Sequence, residues 1–167
     1  MEKKLTIQPC VNDTQKQQVA KIADEIWHEY FPFLLNTEQI DYMVEKFCSF
    51  EAMIDLEKHH YYHYFMVHKG EELIGYLALA HEETQLFLSK IYLKKSARGH
   101  HYASEMFEYV KDHARKYQYD SIYLTCNKHN THSLDVYQSW GFVKTDEVVT
   151  DIGQGYVMDD YILEYTL

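Results

Sequence analysis

The chain has 167 residues, of which 26 are acidic and 16 are basic, and its net charge is −10. That length fits one domain with a sizeable core, so we expect residues 1–167 to form a single domain. The acid surplus argues against a nucleic-acid binder, which needs a basic surface, and fits either solubility alone or attraction of a cationic small substrate.

The first third of the chain predicts one strand followed by helices. Residues 4–9 alternate and end at a proline, which is typical of a short strand. Two stretches then carry apolar residues at helical spacing behind asparagine-containing caps, which predicts helices over about 15–30 and 37–48. The sequence leaves open whether a short third helix forms over roughly 50–58.

The middle of the chain changes to strand periodicity. Residues 61–68 and 72–82 alternate around a Lys-Gly turn and predict a hairpin. Residues 84–95 form the next predicted strand, the fourth of the chain. Behind it, the apolar positions between Ala103 and Tyr117 recur at helical spacing and predict a further helix.

The last part of the chain predicts strand, helix and two more strands. Residues 121–126 form the first strand, and a helix follows with a cap at Asn130 and a stop at Gly141. The stretches 142–149 and 155–167 close the chain as strands. The element order β-α-α-β-β-β-α-β-α-β-β, without the open third helix, indicates an α/β fold with a mixed sheet and helices on both faces.

The turn SARGHHYAS opens a helix directly behind the fourth strand. A helix N-terminus offers unpaired N–H groups and a partial positive charge, which suit a pyrophosphate. Arg98 adds a cation suited to phosphate oxygens, and Gly99 and Ala103 keep the turn small where a ligand approaches. A metal site at His100-His101 and a plain surface helix start are also open at this point.

Two residues of the following helix, Asn130 and Tyr137, are seven positions apart. Two helical turns place them on the same face, where they could contact one ligand. When they are taken alone, a helix cap and a packed aromatic ring explain them better than a ligand site does.

Taken together, these two segments resemble the GNAT N-acetyltransferase family. The family's acetyl-CoA motif, Arg/Gln-x-x-Gly-x-Gly/Ala, falls on residues 98–103, and its later pattern falls on Asn130, Tyr137 and Gly141-Phe142. The two helices before the strands are also the family's, so the resemblance extends over nearly the whole chain. It implies a twisted, mixed and mostly antiparallel sheet of about seven strands, with CoA in a splay between the fourth and fifth.

The resemblance also implies a role for individual residues. Backbone groups of Ile91, Tyr92 and Leu93 pair with the pantetheine arm and polarise the thioester carbonyl. Asn130 bonds the pantetheine, and the Tyr137 hydroxyl protonates the leaving thiolate while an amine attacks directly. The backbone amides that hold the pyrophosphate are those of Arg98, Gly99, His100, His101, Tyr102, Ala103 and Ser104.

One position departs from the family motif, because His101 stands where the family has its first glycine. Glycine there permits close approach to phosphate or an unusual backbone angle. A histidine narrows the loop, although it donates to phosphate when it is protonated. The prediction of acetyl-CoA binding therefore depends most on this residue.

The general base is not evident from the sequence. The centre of the fourth strand carries Ser89 and Lys90 and no carboxylate. Glu82-Glu83 and Asp159-Asp160 are candidates that act through water, and each is also explained as a solvated surface acid.

The acetyl acceptor is also left open by the sequence. A small amine substrate such as a polyamine is favoured, and a protein N-terminus, a lysine or an amino sugar are alternatives. Rival interpretations are a non-catalytic acyl-CoA-binding module and a structural α/β domain with no CoA site. A homodimer is compatible with the family, although the sequence marks no interface.

Several other features bear on compartment and cofactors. The three cysteines, Cys10, Cys48 and Cys126, have no Cys-x-x-Cys spacing, and there is no signal-like or membrane-spanning run, so a cytoplasmic protein without membrane contact is expected. The histidines at 59, 60 and 63 lack a zinc-binding pattern, and no metal is expected. Gly153-x-Gly155 fits a bend, or a loop lining the acceptor pocket with Asp159-Asp160, better than a dinucleotide site.

Overall fold

A computed structural model describes residues 4–167. Its strands belong to one sheet and are, in chain order, β1 (Thr6–Pro9), β2 (Tyr62–Lys69), β3 (Glu72–His81), β4 (Gln85–Leu93), β5 (Ser121–Asn127), β6 (Val143–Gly153) and β7 (Tyr156–Thr166). Its α-helices are α1 (Asp13–Tyr30), α2 (Thr37–Phe47), α3 (Phe50–His60), α4 (Tyr102–Lys116) and α5 (Thr131–Trp140). The predicted element order and fold class are confirmed, and the open third helix is present as α3.

The helix ends follow the capping signals in the sequence. The Asn12 and Asn36 side chains accept hydrogen bonds from backbone amides three residues ahead, which fixes the starts of α1 and α2. Asn130 does the same for α5, and Gly141 ends that helix in the left-handed conformation with φ 109°. Local hydrogen-bonding chemistry therefore decides these boundaries.

The sixth strand differs from its predicted range of 142–149. β6 continues to Gly153 and pairs with β7 down to Tyr156, so Gly153-x-Gly155 belongs to a tight hairpin. Ile152 is buried, and its carbonyl accepts bonds from the Tyr42 hydroxyl and the Lys46 ammonium of α2, at 2.5 and 2.7 Å. Contacts with a distant helix, which local periodicity does not report, keep this polar stretch extended.

The sheet runs in the order β1-β2-β3-β4-β5-β7-β6. All neighbours are antiparallel except β4 and β5, which pair in parallel only over residues 85–87 and 121–123. Beyond Phe87 the two strands separate, and Ser89 forms a bulge opposite Ala78 and Leu79. The sheet is therefore open at its centre, where the sequence predicts a splay.

Two apolar layers flank the sheet because alternate residues of each strand point to opposite faces. Phe65 and Leu77 pack with α4 and α5 on one face, in a layer that includes Phe107 and Leu134. On the other face, Tyr64, Tyr76 and Ala78 pack with α1, α2 and α3. Across residues 4–167, no helix combines the length and apolar character needed to cross a membrane.

Candidate active site

A cleft of about 200 Å³ occupies the splay between β4 and β5. β4 provides one wall through Ile91, Tyr92 and Leu93, and α5 provides the other through Val136 and Tyr137. Because β5 pairs with β4 only as far as Phe87, the edge of β4 that faces the cleft has no strand partner there. The backbone groups on this edge are available to an extended ligand, except the Leu93 carbonyl, which accepts bonds from the Arg98 side chain.

The turn behind β4 closes one end of the cleft with Arg98, Gly99, His101 and the first residues of α4. The residue preceding α4, His101, makes no side-chain capping bond. Among the described residues, no hydrogen bond occupies the amides of Tyr102, Ala103 or Ser104. These donors point along the helix axis toward the open end, so the turn is suited to an anion.

The Arg98 side chain, predicted as a cation suited to phosphate oxygens, is held by contacts within the chain. Its Nε and Nη2 donate to the Leu93 carbonyl at 3.1 and 3.0 Å, and its guanidinium lies 5.0 Å from the centre of the Tyr30 ring. Its amide donates to the Lys95 carbonyl at 3.2 Å. Arg98 therefore ties the turn to the end of β4, and the unoccupied amides begin at Gly99.

His101 adopts the left-handed conformation, with φ 63° and ψ 17°. Glycine is the residue that takes this conformation without strain, which gives a physical reason for the family's glycine at this position. The His101 side chain also lines the cleft, whereas neighbouring His100 does not. His101 therefore has a strained backbone conformation, and its side chain narrows the turn where a ligand would bind.

Replacing His101 with glycine is expected to strengthen acetyl-CoA binding severalfold and to leave stability within about 1 kcal/mol of the wild type. The relieved left-handed strain roughly offsets the added chain entropy of glycine, while the ring no longer narrows the turn. Calorimetric Kd values and thermal melts measure both effects. His100→Gly is the matched control, and equal or weaker binding by H101G would contradict the interpretation.

Helix α5 presents Asn130, Ser133 and Tyr137 toward the splay. The buried Asn130 accepts a bond from the Ser133 amide as a cap, and its Oδ1 also accepts from the Tyr30 hydroxyl at 3.1 Å. The hydroxyls of Tyr30 and Ser133 are 2.5 Å apart. The Asn130 amide nitrogen makes no bond within the described chain, so this group stays available to a ligand.

Tyr137 lies in the apolar part of the splay. Burial, followed by the proximity of Cys126 and Tyr30, raises the pKa of its hydroxyl well above the usual value of 10. The phenol therefore stays protonated and is a proton or hydrogen-bond donor throughout the neutral range. Cys126 is buried, and burial together with Asp160 raises its pKa to about 12, so its thiol is not an activated nucleophile.

A second pocket of about 110 Å³ lies on the α1–α2 side of the same opening. The two cavities share Tyr92, Ser133 and Tyr137 as lining residues. Aromatic and apolar side chains form much of its wall, including Trp27, Phe31, Leu34, Leu35 and Met43. Tyr137 and Tyr92 thus stand where the two cavities meet.

The four acids proposed as a base lie in different surroundings. Glu82 accepts a hydrogen bond from Tyr123 in the turn before β4, and neither it nor Glu83 lines the cleft or the second pocket. Asp159 forms an ion pair with Lys128 at 2.6 Å. Asp160 is 6% exposed and lines the second pocket. The structure therefore brings one of the four into the site.

The Gly153-x-Gly155 segment was predicted to form a bend or to line the acceptor pocket. Gly153 lies against the Tyr42 hydroxyl rather than in a pocket, so β7, through Val157, Met158 and Asp160, provides the lining expected from the loop. Among the aromatic residues near the C-terminal end of α1, Trp27 and Phe31 line the second pocket, whereas Phe33 is 62% exposed.

Several lining residues of the cleft were not predicted from the sequence. Ser133, Val136 and Trp140 follow Asn130 at spacings of three, six and ten residues, so extending its helical face could have identified them. Met106 is likewise one turn beyond Ala103 on α4. Within residues 4–167, no group of three or more His, Cys, Asp or Glu side chains is arranged to hold a metal ion.

Comparison with known proteins adds a family match. A family model described as acetyltransferase (GNAT) family matches residues 20–142, which is more than half of the chain. A search of curated protein sequences finds no match.

Solved structures resemble the fold over essentially their whole length. PaiA N-acetyltransferase from Thermoplasma acidophilum, in complex with coenzyme A, gives a TM-score of 0.80 at 17% identity, with coverage of 98% of this chain and 99% of the other. A GCN5-related N-acetyltransferase from Rhodopseudomonas palustris gives 0.81 at 8% identity, with coverage of 100% and 98%. A GNAT acetyltransferase from Elizabethkingia anophelis, with acetyl-CoA bound, gives 0.65 at 16% identity, with coverage of 99% and 100%.

Proposed function

The chain belongs to the GNAT acetyltransferase family, and on this premise we propose that it transfers the acetyl group of acetyl-CoA to a primary amine by direct attack. The observation that carries the proposal is the position of Tyr137. Tyr137, whose hydroxyl stays protonated, lines both the β4–β5 cleft and the adjoining second pocket. A two-substrate transfer needs such a junction, with a proton donor at the leaving group.

The cleft is suited to an extended thioester cofactor. Unoccupied amides from Gly99 to Ser104 lie at the N-terminus of α4, where they would hold the pyrophosphate. The edge of β4 at Ile91 to Leu93, apart from the Leu93 carbonyl that Arg98 occupies, would pair with the pantetheine arm and polarise the acetyl carbonyl. Asn130, with its free amide nitrogen, lines the adjoining pocket and would bond the arm where the two cavities meet.

The chemical step follows from these positions. The amine nitrogen forms a bond with the acetyl carbon, the C–S bond breaks, and the thiolate takes a proton from Tyr137. The electron pair of the carbonyl moves onto its oxygen in the tetrahedral intermediate, where backbone N–H groups of β4 stabilise it. The chain itself forms no covalent bond to the acetyl group.

The second pocket supports a small-molecule acceptor. Its volume of about 110 Å³ matches a small organic amine better than a protein segment. The net charge of −10 favours cationic amines at long range, which keeps a polyamine among the acceptors to be tested. In this proposal residues 1–167 act as one acetyltransferase domain.

The test combines cofactor binding with turnover. We expect acetyl-CoA at a hundredfold excess over its Kd to stabilise the protein by about 2.7 kcal/mol in a thermal shift. Thiol release is then measured with a monoamine, a polyamine, an amino sugar, a lysine peptide and a free peptide N-terminus. Binding without release for any amine would indicate a non-catalytic acyl-CoA-binding module, and absence of any thermal shift would contradict the cofactor site itself.

A further inference from the structure

The Asp160 carboxylate is the unusual feature of the second pocket. It is 6% exposed and lines the cavity, and no hydrogen bond or ion pair from the described residues reaches it. Its oxygens are not among the fully enclosed unpaired atoms, so they keep access to the cavity. A largely buried carboxylate without a protein partner is costly, and a cationic ligand in the cavity would offset that cost. Neighbouring Asp159, by contrast, is neutralised by Lys128.

The surroundings of Asp160 place it near the reacting groups. On β7 it pairs with Asn127 of β5, the residue after Cys126. Cys126 is close enough for the Asp160 charge to raise its pKa, and the same thiol influences Tyr137. Asp160, Cys126 and Tyr137 line the same pocket.

We propose that Asp160 binds the ammonium group of the acceptor in the second pocket and takes the first of the two protons that the amine loses. The inference rests on the proposed acetyl transfer and assigns its missing base. The acceptor is accordingly a primary amine that arrives protonated, since a neutral, non-basic amine would leave the carboxylate unpaired.

The protons balance over the whole step. The ammonium gives one proton to Asp160, the free electron pair on nitrogen forms the C–N bond, and Asp160 later releases its proton to water. The nitrogen then loses a second proton, which replaces the proton that Tyr137 gave to the departing thiolate. The products are the acetamide and the free CoA thiol.

The charge environment favours this use near neutral pH. Burial, and then the Asp159 charge, raises the pKa of Asp160 to about 6. The carboxylate is therefore charged above that pH and still basic enough to hold a proton. The titratable or charged side chains around it are Asp159 and Lys128 at the strand ends, Cys126 on β5, Lys90 and Tyr92 on β4, and Tyr137 on α5. The facing residues of α2 and β6 (Gln39, Met43 and Val148) are uncharged.

Asp160→Asn is the decisive variant, and Asp159→Asn is its matched control on the same strand. We expect D160N to lower kcat/KM for the amine by about 100-fold, with acetyl-CoA affinity and thermal stability retained. In the wild type, kcat/KM should fall below pH 6 as the carboxylate is protonated. D159N should keep this acid limb but shift it to lower pH, because the Asp159 charge that raises the Asp160 pKa is gone, and the limb should be absent from D160N. The wild-type profile supplies a second test that does not depend on how the variant folds.

The outcomes separate this inference from the proposed function. An active wild type, with D160N matching it in rate and pH profile, would overturn the role of Asp160 and leave acetyl transfer intact. A wild type that transfers acetyl to no amine would overturn both. Equal losses in D159N and D160N would point to strand packing, and would also count against a role specific to Asp160.

Discussion

Replacing Tyr137 with phenylalanine is expected to lower kcat by about 100- to 1,000-fold, while the Kd for acetyl-CoA changes little. The ring and its packing against Trp140 and Phe142 remain, so the variant loses the hydroxyl alone. Without that proton donor, CoA leaves as an unprotonated thiolate, which is the poorer leaving group. Steady-state release of free thiol, alongside calorimetric binding of acetyl-CoA, measures the two effects separately.

The control for this variant is Tyr109→Phe. Tyr109 lies on α4, packs against Phe65, and lines neither the cleft nor the second pocket. It therefore reports the cost of removing a tyrosine hydroxyl away from the site. If Y137F kept the wild-type rate, the proposed proton donor would be wrong, whereas an equal decrease in both variants would indicate a general effect on the fold.

The second large effect is expected from Gly75→Ala, on the strand that supports β4. A Cβ atom at Gly75 would lie 2.3 Å from the Tyr92 carbonyl oxygen and 3.0 Å from a Leu93 methyl group. Because the nearer atom belongs to the backbone, β4 itself must move. We expect a loss of about 3 kcal/mol in unfolding free energy, or roughly 10 °C in Tm.

The same variant should weaken acetyl-CoA binding, since the displaced segment is the β4 edge at Tyr92 and Leu93. Gly70→Ala is the comparison, because Gly70 has a positive φ but nothing within 4 Å of an added Cβ. It should lose only the conformational cost of about 1 kcal/mol and keep its affinity for acetyl-CoA. Urea unfolding and calorimetry distinguish the two, and a G75A protein as stable as the wild type would refute the steric explanation.

Much of the fold and part of the site follow from short-range patterns. Apolar periodicity and asparagine caps are local signals, and they predicted the order of the helices and strands correctly. The turn before α4 and the seven-residue spacing of Asn130 and Tyr137 are local as well. The structure places both segments on the walls of one cleft, although Asn130 lines the adjoining pocket rather than the cleft itself.

Local patterns do not predict the side-chain contacts that depend on how the elements pack together. The sequence identifies Arg98 as a cation suited to phosphate, but it does not predict that the Leu93 carbonyl and the Tyr30 ring hold its guanidinium. Tyr30 reaches Asn130 across 100 residues, and that contact depends on how α1 packs against the sheet. The spacing of residues along the chain predicts neither the contacts of Arg98 nor the contact between Tyr30 and Asn130.

The candidate bases on β7 show most clearly what the sequence determines and what only the tertiary structure decides. Alternation along β7 requires Asp159 and Asp160 to point to opposite faces, which the sequence by itself determines. Both faces of the sheet are covered by other elements, so the sequence does not tell which acid is buried. The pairing of β7 between β5 and β6 decides this, because that register directs Asp160 to the α1–α2 side, where the splay opens a pocket, and leaves Asp159 beside Lys128.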